Sequence, residues 1–444
     1  MADSLPAKAR LRLIKQLNAL PQTQFDEIVF ALEPPKGVVP AGGAQGNRAK
    51  ELLGWAEGPT GPGINEVLDL LSDYLSLEDL GITAAPPAAN SKAAHKAEAV
   101  PLRLEEPEGL VPVGSPFYVE RPPVEADCYE TIERPGSLIR IKAPRQMGKT
   151  SLMMRILARG KKLGYETVRL SFQTAEADTL KDLDSFLQWF CSSITEELDL
   201  DDRLADYWKG ARGLVRRCQR YFEKYLLAEI NGPLILGLDE VDQVFEHADI
   251  ATDFFGMLRV WHEEGKTDDR WRNLHLVIVH SKEVYVPLSI NRSPFNVGLP
   301  IELRELRSEE IEELVQRHQL DLSEDDLAQL VVLVGGHPYL LRAALYQLKR
   351  QRTTLPDLLE LAPTEGGLYN DHLRRHLLNL EADADLMQAF KQVITAAEPI
   401  QIGSTEAFKL TSMGLVKYQG NEVQPLCNLY RYYFQTHLTK AGAS

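Results

Sequence analysis

The chain has 444 residues, 44% of them hydrophobic and 25% charged, and carries a formal net charge of −15. That length gives room for two to three domains that each bury a core. The acidic balance argues against a nucleic-acid-binding or membrane-binding surface over the molecule as a whole and leaves only a local basic face open. The four cysteines, Cys128, Cys191, Cys218 and Cys427, lack C-x-x-C spacing, which argues against a zinc site or a disulfide framework and fits a reducing compartment. The start of the chain lacks the basic-then-apolar order of a signal peptide, and no apolar run approaches the roughly 18 residues that would span a bilayer. These features predict a cytoplasmic protein with no membrane contact.

Residues 1–82 read as a small all-α domain. Apolar residues recur at three- and four-residue spacings over 7–20, 22–32, 47–56 and 64–75. A loop over 33–43, with Pro34, Pro35, Gly37, Pro40, Gly42 and Gly43, interrupts them. No residues in this unit have catalytic spacing, and Trp55 reads as core. Residues 83–112, rich in alanine and proline, read as a tether.

Strand and helix patterns alternate over residues 113–305. The first strand pattern, 137–141, runs into Ala143-Pro144-Arg145-Gln146-Met147-Gly148-Lys149-Thr150, and a helical pattern starts at Ser151. Strand, tight loop and helix form the context in which such a loop binds phosphate. Loop amides and the helix N-terminus face the anion, Gly148 allows close approach, Lys149 spans the terminal phosphates, and the Thr150 hydroxyl suits Mg²⁺. Ala143 stands where the motif usually has glycine, which predicts a slightly less permissive turn.

The run Leu234-Ile235-Leu236-Gly237-Leu238 ends in Asp239 and Glu240. A buried parallel strand with acids at its C-terminal edge places Asp239 to face Mg²⁺ beside Thr150, and Glu240 to act as the base for an attacking water. Further strands are expected over 166–172, 274–280 and 297–303, and helices over 180–198, 203–227 and 250–264. The sum is a parallel five-stranded sheet covered on both faces, an α/β P-loop NTPase, with space for a strand between the two motif strands. Residues 306–360 read as a helical lid with helices at 308–319, 323–334 and 338–349. Residues 361–444 end in helix, strand, a Gly420-Asn421 hairpin turn and strand, the pattern of a winged helix.

On these motifs the chain resembles, over about residues 113–440, the AAA-like ATPases of the STAND type. Its further markers are Phe117-Tyr118-Val119-Glu120-Arg121-Pro122, the strand-ending Ser281, and Gly335-Gly336-His337-Pro338-Tyr339-Leu340-Leu341. The resemblance implies ATP or ADP with Mg²⁺, with Val119, Arg121 and Pro338 around the adenine and Ser281 sensing the γ-phosphate. The loop residues Ala143, Arg145, Gln146, Met147, Gly148, Lys149, Thr150 and Ser151 would hold the phosphates. Residues 1–82 are similar to the death-like, effector-associated domains fused to such proteins, on Phe25 to Leu32, the Pro-Pro loop and Glu51 to Ala56. That likeness implies an effector partner carrying a similar domain, with Asp26, Glu27 and Phe30 as one candidate surface. No arginine finger is fixed; Arg259, Arg272 and Arg292 are the candidates, and a homo-oligomer stays open.

The expected function is an ATP-binding and ATP-hydrolysing signalling switch of bacterial stress or conflict responses. The alternative is a DNA-handling ATPase of the origin-loading or transposition-helper kind. Against it, the wing over 417–422 holds one lysine and one acid, poor in phosphate contacts. Helix 371–380, with His372, Arg374, Arg375 and His376, is a modest basic cluster that reads as the rim of a nucleotide or domain interface. A scaffold that binds nucleotide without turnover is a third reading, which Glu240 disfavours.

Overall fold

The computed structural model describes residues 45–56, 104–210, 212–281 and 294–440 continuously, with separate positions between 13 and 40. The chain divides into two compact units, Met1–Glu98 and Ala99–Ser444.

In the first unit, helix α1 (Gln45–Ala56) buries Ala49, Leu52, Leu53 and Ala56, one stripe at helical spacing. That stripe belongs to a cluster with Leu13, Leu17, Phe25, Ile28 and Leu32. The Gln45 side-chain amide donates to the Leu17 carbonyl at 2.8 Å, and the Arg48 guanidinium lies 5.1 Å from the Phe25 ring centre. Trp55 is half-buried at the edge of this cluster. The helix expected at 64–75 and the candidate surface Asp26, Glu27 and Phe30 lie outside the described residues.

In the second unit, helix α2 (Val124–Ile132) precedes strand β1 (Leu138–Lys142), and helix α3 (Lys149–Lys162) follows the loop. Then come β2 (Glu166–Ser171), α4 (Leu183–Glu197), α5 (Leu214–Tyr221), β3 (Leu234–Asp239), α6 (Ala248–Glu264), β4 (Leu274–His280) and β5 (Leu299–Glu302). All four strand pairings are parallel, in the order β2-β3-β4-β1-β5. The strand between the two motif strands is therefore β4, which comes later in the chain, while β2 lies at the edge.

Alternation along the strands feeds two cores. Leu274, Leu276 and Ile278 join Phe186, Phe190, Phe222, Phe254 and Trp261 on one face. On the other, Ile139, Ile141, Val277 and Val279 pack against Met153, Ile156 and Leu157 of α3 and Cys128 and Ile132 of α2.

The single helix expected over 203–227 is broken. A short turn, Leu204–Tyr207, precedes α5, and the chain then runs through a π-helical turn, Phe222–Leu226. Gly210, at φ 97°, and Gly213, extended before α5, end the helical path between them.

Helices α7 (Ser308–Arg317), α8 (Glu324–Val334), α9 (Pro338–Lys349) and α10 (Leu355–Leu361) follow the sheet. Then come α11 (Asn370–Glu381), α12 (Ala384–Thr395), α13 (Ser404–Met413), the hairpin β6 (Val416–Gln419) and β7 (Glu422–Pro425), and α14 (Asn428–Lys440). Leu330, Val334, Leu340, Leu373, Phe390, Leu410, Val423 and Phe434 share one core across all of these, so lid and C-terminal module are continuous.

The end of the expected tether needs correction. Residues 104–112 are held against the sheet unit and the helices that follow it by specific bonds. The Val111 amide donates to Ser151 Oγ at 2.9 Å, Arg155 donates to the carbonyls of Val111 and Pro112, and Glu105 pairs with Arg342 at 3.2 Å. The proline-rich composition predicts open chain. Here it serves an extended backbone whose carbonyls are capped by a buried arginine.

Candidate active site

The loop between β1 and α3 turns through two left-handed residues, Gln146 at φ 63° and Gly148 at φ 95°. Glycine suits 148 for its left-handed φ, and a Cβ there would push against the tip of Arg121, Nη2 at 2.8 Å. Ala143 is not among the left-handed residues and packs into the core with Ile139 and Ile141. The expected penalty for alanine at that position thus has no backbone basis.

Lys149 is buried, and its ammonium donates to the Pro144 carbonyl at 2.8 Å, folded back across its own loop. Burial lowers its pKa to about 8, against the opposing pull of Asp242, Asp239 and Glu240. The Thr150 hydroxyl donates to Asp239 Oδ1 at 3.2 Å, so the residues that open α3 and end β3 meet. Hard oxygen donors from a hydroxyl and a carboxylate fit Mg²⁺, which keeps several waters and takes few protein ligands. Among the described residues, no group of three His, Cys, Asp or Glu side chains could hold a metal ion by itself.

Glu240 follows β3 in a left-handed conformation, φ 58° and ψ 39°, an uncommon one for glutamate. Its carboxylate accepts from Gln173 Nε2 at 2.7 Å and from the Ser171 hydroxyl at 3.4 Å. Burial, then the neighbouring charges of Asp239 and Asp242, raise its pKa above the ordinary carboxylate range. A carboxyl shifted upward at a sheet edge suits proton acceptance.

Sequence reasoning missed four residues here: Arg169, Ser171, Gln173 and Asp242. Arg169 pairs with Asp239 Oδ2 at 3.0 Å. Asp242 is buried and accepts the Ser281 amide at 3.0 Å. Ser281 thus meets the acidic cluster through its backbone, and its hydroxyl plays no part in that bond. Asp242 alone had a signal in the sequence, as a third acid three residues after Asp239.

A small cavity of about 50 Å³ opens beside the loop, lined by Val119, Arg121, Gln146, Gly148, Pro338 and Tyr339 among others. Val119 and Arg121 from one segment and Pro338 from another, about 220 residues on, meet here. Arg121 is 3% exposed; one nitrogen donates to the Met147 carbonyl at 2.7 Å, while Nε and Nη1 have no partner among the described residues. Two buried donors at a cavity wall are costly unless a ligand accepts from them. Pro338 opens α9 with His337 as its N-cap, so the ring is presented without loss of a helix hydrogen bond.

Of the other loop residues, Arg145 is exposed, Met147 is buried, and the Ser151 hydroxyl is taken by Val111. Arg259 bonds Glu263 and Asn296, and Arg272 bonds Asp269. Arg292 lies outside the described residues.

The basic cluster expected on helix 371–380 divides in two. His372 and His376 turn inward, and Arg374 and Arg375 stay exposed. His372 is within 2.6 Å of Gln146 Oε1 and 2.8 Å of the Tyr430 hydroxyl, and burial holds its pKa well below the usual range.

No curated protein matches the chain. Solved structures do resemble it. The Walker-type ATPase paby2304 of Pyrococcus abyssi has a TM-score of 0.49 at 14% identity, over 72% of this chain and 96% of that one. The ORC2 protein of Aeropyrum pernix, solved as ADPNP-ADP complexes, has a TM-score of 0.44 at 17% identity, over 74% and 98%. Domain III of the replication initiation protein DnaA from Thermotoga maritima has a TM-score of 0.34 at 16% identity, over 54% and 91%. A family model described as an AAA-like domain matches residues 106–436, most of the chain, from the segment that caps Ser151 to the last helix, and the chain belongs to this family of P-loop ATPases.

Proposed function

We propose that this protein is a Mg²⁺-dependent ATP-hydrolysing signalling switch, in which bound nucleotide sets the position of the C-terminal module. One observation carries the reading: that module rests directly on the phosphate loop. His372 contacts Gln146, and the loop's Pro144 packs so closely on Gly414 that a Cβ at 414 would stand 2.7 Å from Pro144 Cβ. A change of loop conformation on binding phosphate therefore has a short mechanical path to α11 and the hairpin. Mg²⁺ at Thr150 and Asp239 would neutralise phosphate charge. Val119, Arg121 and Pro338 would enclose the base, and Glu240 would orient and deprotonate water. Ser281, through Asp242, would report on the γ-phosphate.

In this reading the hairpin and its flanking helices are a winged helix used as a lever. The helical unit at 1–82 is the adaptor that recruits an effector with a similar domain, in bacterial stress or conflict signalling. The competing reading, a DNA-handling ATPase, draws on the exposed Arg374 and Arg375. The wing weighs against it, since Lys417 already pairs with Glu305 at 3.3 Å.

The deciding experiment measures copurified nucleotide and ATP turnover of the full chain, with and without duplex DNA. Bound adenine nucleotide with slow, DNA-independent turnover supports the switch. Tight DNA binding at physiological salt, lost on changing Arg374 and Arg375, overturns it.

A further inference from the structure

Asp239 is 1% exposed, and a buried carboxylate without compensation is costly. Both its oxygens are occupied by protein donors, Oδ1 by the Thr150 hydroxyl and Oδ2 by the Arg169 guanidinium. The neighbouring acids have other partners: Glu240 is held by Ser171 and Gln173, and Asp242 by the Ser281 amide.

The sheet register explains how Arg169 reaches its aspartate. Arg169 of β2 is paired with Gly237 of β3, and Ser171 with Asp239. Gly237 has no side chain to block a path along the sheet face to a residue two positions further on. The arginine also has room to withdraw, its side chain being 39% exposed on an edge strand, whereas the aspartate is buried.

We propose that Arg169 is a built-in counter-ion of Asp239, occupying the charge position of the divalent cation until metal and nucleotide enter, and so reducing the metal dependence of nucleotide capture. The inference rests on the nucleotide-site reading above. Without metal, the guanidinium offsets the repulsion between Asp239 and incoming phosphates. With metal, the same guanidinium must be displaced. Both effects narrow the gap between metal-free and metal-loaded affinity.

The test is the dissociation constant of a fluorescent N-methylanthraniloyl-ATP on the full chain, in EDTA and at saturating Mg²⁺. In Arg169→Gln, the ratio of the two constants is expected to widen on the order of tenfold, since a hydrogen bond to a charged group is lost. Arg169→Lys should stay near wild type. Arg169→Met, which removes the charge and keeps bulk, serves as a second charge-free variant, with circular dichroism melts confirming the fold. A ratio unchanged within about twofold, or narrowed, in both charge-free variants overturns the proposal. Failure of the wild type to bind the probe in either condition is a different result and overturns the nucleotide-site reading itself.

Discussion

A buried ammonium is a strained choice for any fold, and Lys149 keeps one within reach of three carboxylates while bonding only a loop carbonyl. That arrangement makes sense when a polyanion completes it. Lys149→Ala is expected to weaken ATP binding by on the order of a hundredfold or more, because the phosphate charge then lies uncompensated in a semi-buried loop. Calorimetry reads this directly, and an unchanged affinity would remove the phosphate-site assignment. Glu240 has the opposite profile. Its carboxyl is raised by burial and by like charges, and it is held by two neutral donors that also suit an amide's oxygen. Glu240→Gln should therefore bind ATP as well as wild type yet lose turnover, because the amide cannot accept the proton of water. Equal hydrolysis by both proteins would remove Glu240 from the role of base.

Among the elements, the turn before α9 positions the cavity wall with the least tolerance. Gly335 sits at φ 64° and ψ −158°, a region essentially reserved for glycine. The next residue approaches backbone: a Cβ on Gly336 would stand 2.2 Å from the Leu306 carbonyl oxygen. The Gly336 carbonyl also accepts the Leu306 amide at 2.8 Å, so the turn is fastened to the segment after β5. Gly336→Ala should lower stability by about 1–3 kcal/mol. It should also weaken nucleotide binding, because Pro338 and Tyr339 shift with the turn. Denaturant melts and nucleotide titration check the two effects separately, and a variant with wild-type values in both would show that the lid does not depend on this contact.

At the scale of the whole molecule, buried histidines set a pH limit. Burial lowers His337 to about 3 and His275, His318 and His376 to about 4, and holds His372 well below the usual histidine range. Each is neutral when folded and, when unfolded, takes a proton below about pH 6.5. A histidine with a depressed folded pKa contributes stability above its unfolded value and loses it as pH falls toward the folded one. Each such group withdraws up to about 1.4 kcal/mol per pH unit within that window. Urea midpoints should therefore drop steeply between pH 7 and pH 5. A flat profile there would show that these rings are accessible to protons in the native state.

The phosphate loop, the acidic strand and the parallel sheet were legible in the sequence because each rests on local pattern. A strand, tight turn and helix start are encoded within about 20 contiguous residues, and apolar runs bounded by turns report buried strands. The broken helix near 203–227 was illegible for the converse reason, since glycine conformation at 210 and 213 outweighed a helical period. Composition misread residues 104–112, whose order comes from Arg155 and Arg342, about 40 and 240 residues away. Arg169, Gln173 and the His372–Gln146 contact were likewise beyond one-dimensional reading. Their roles exist only because strand order puts β2 beside β3 and because α11 lies against the loop. Sequence alone thus determined the glycine-lysine-threonine loop between strand and helix and the strand that ends in acids. Only the tertiary structure decided which side chains compensate, restrain and press upon them, because charge pairing and steric contact act through space.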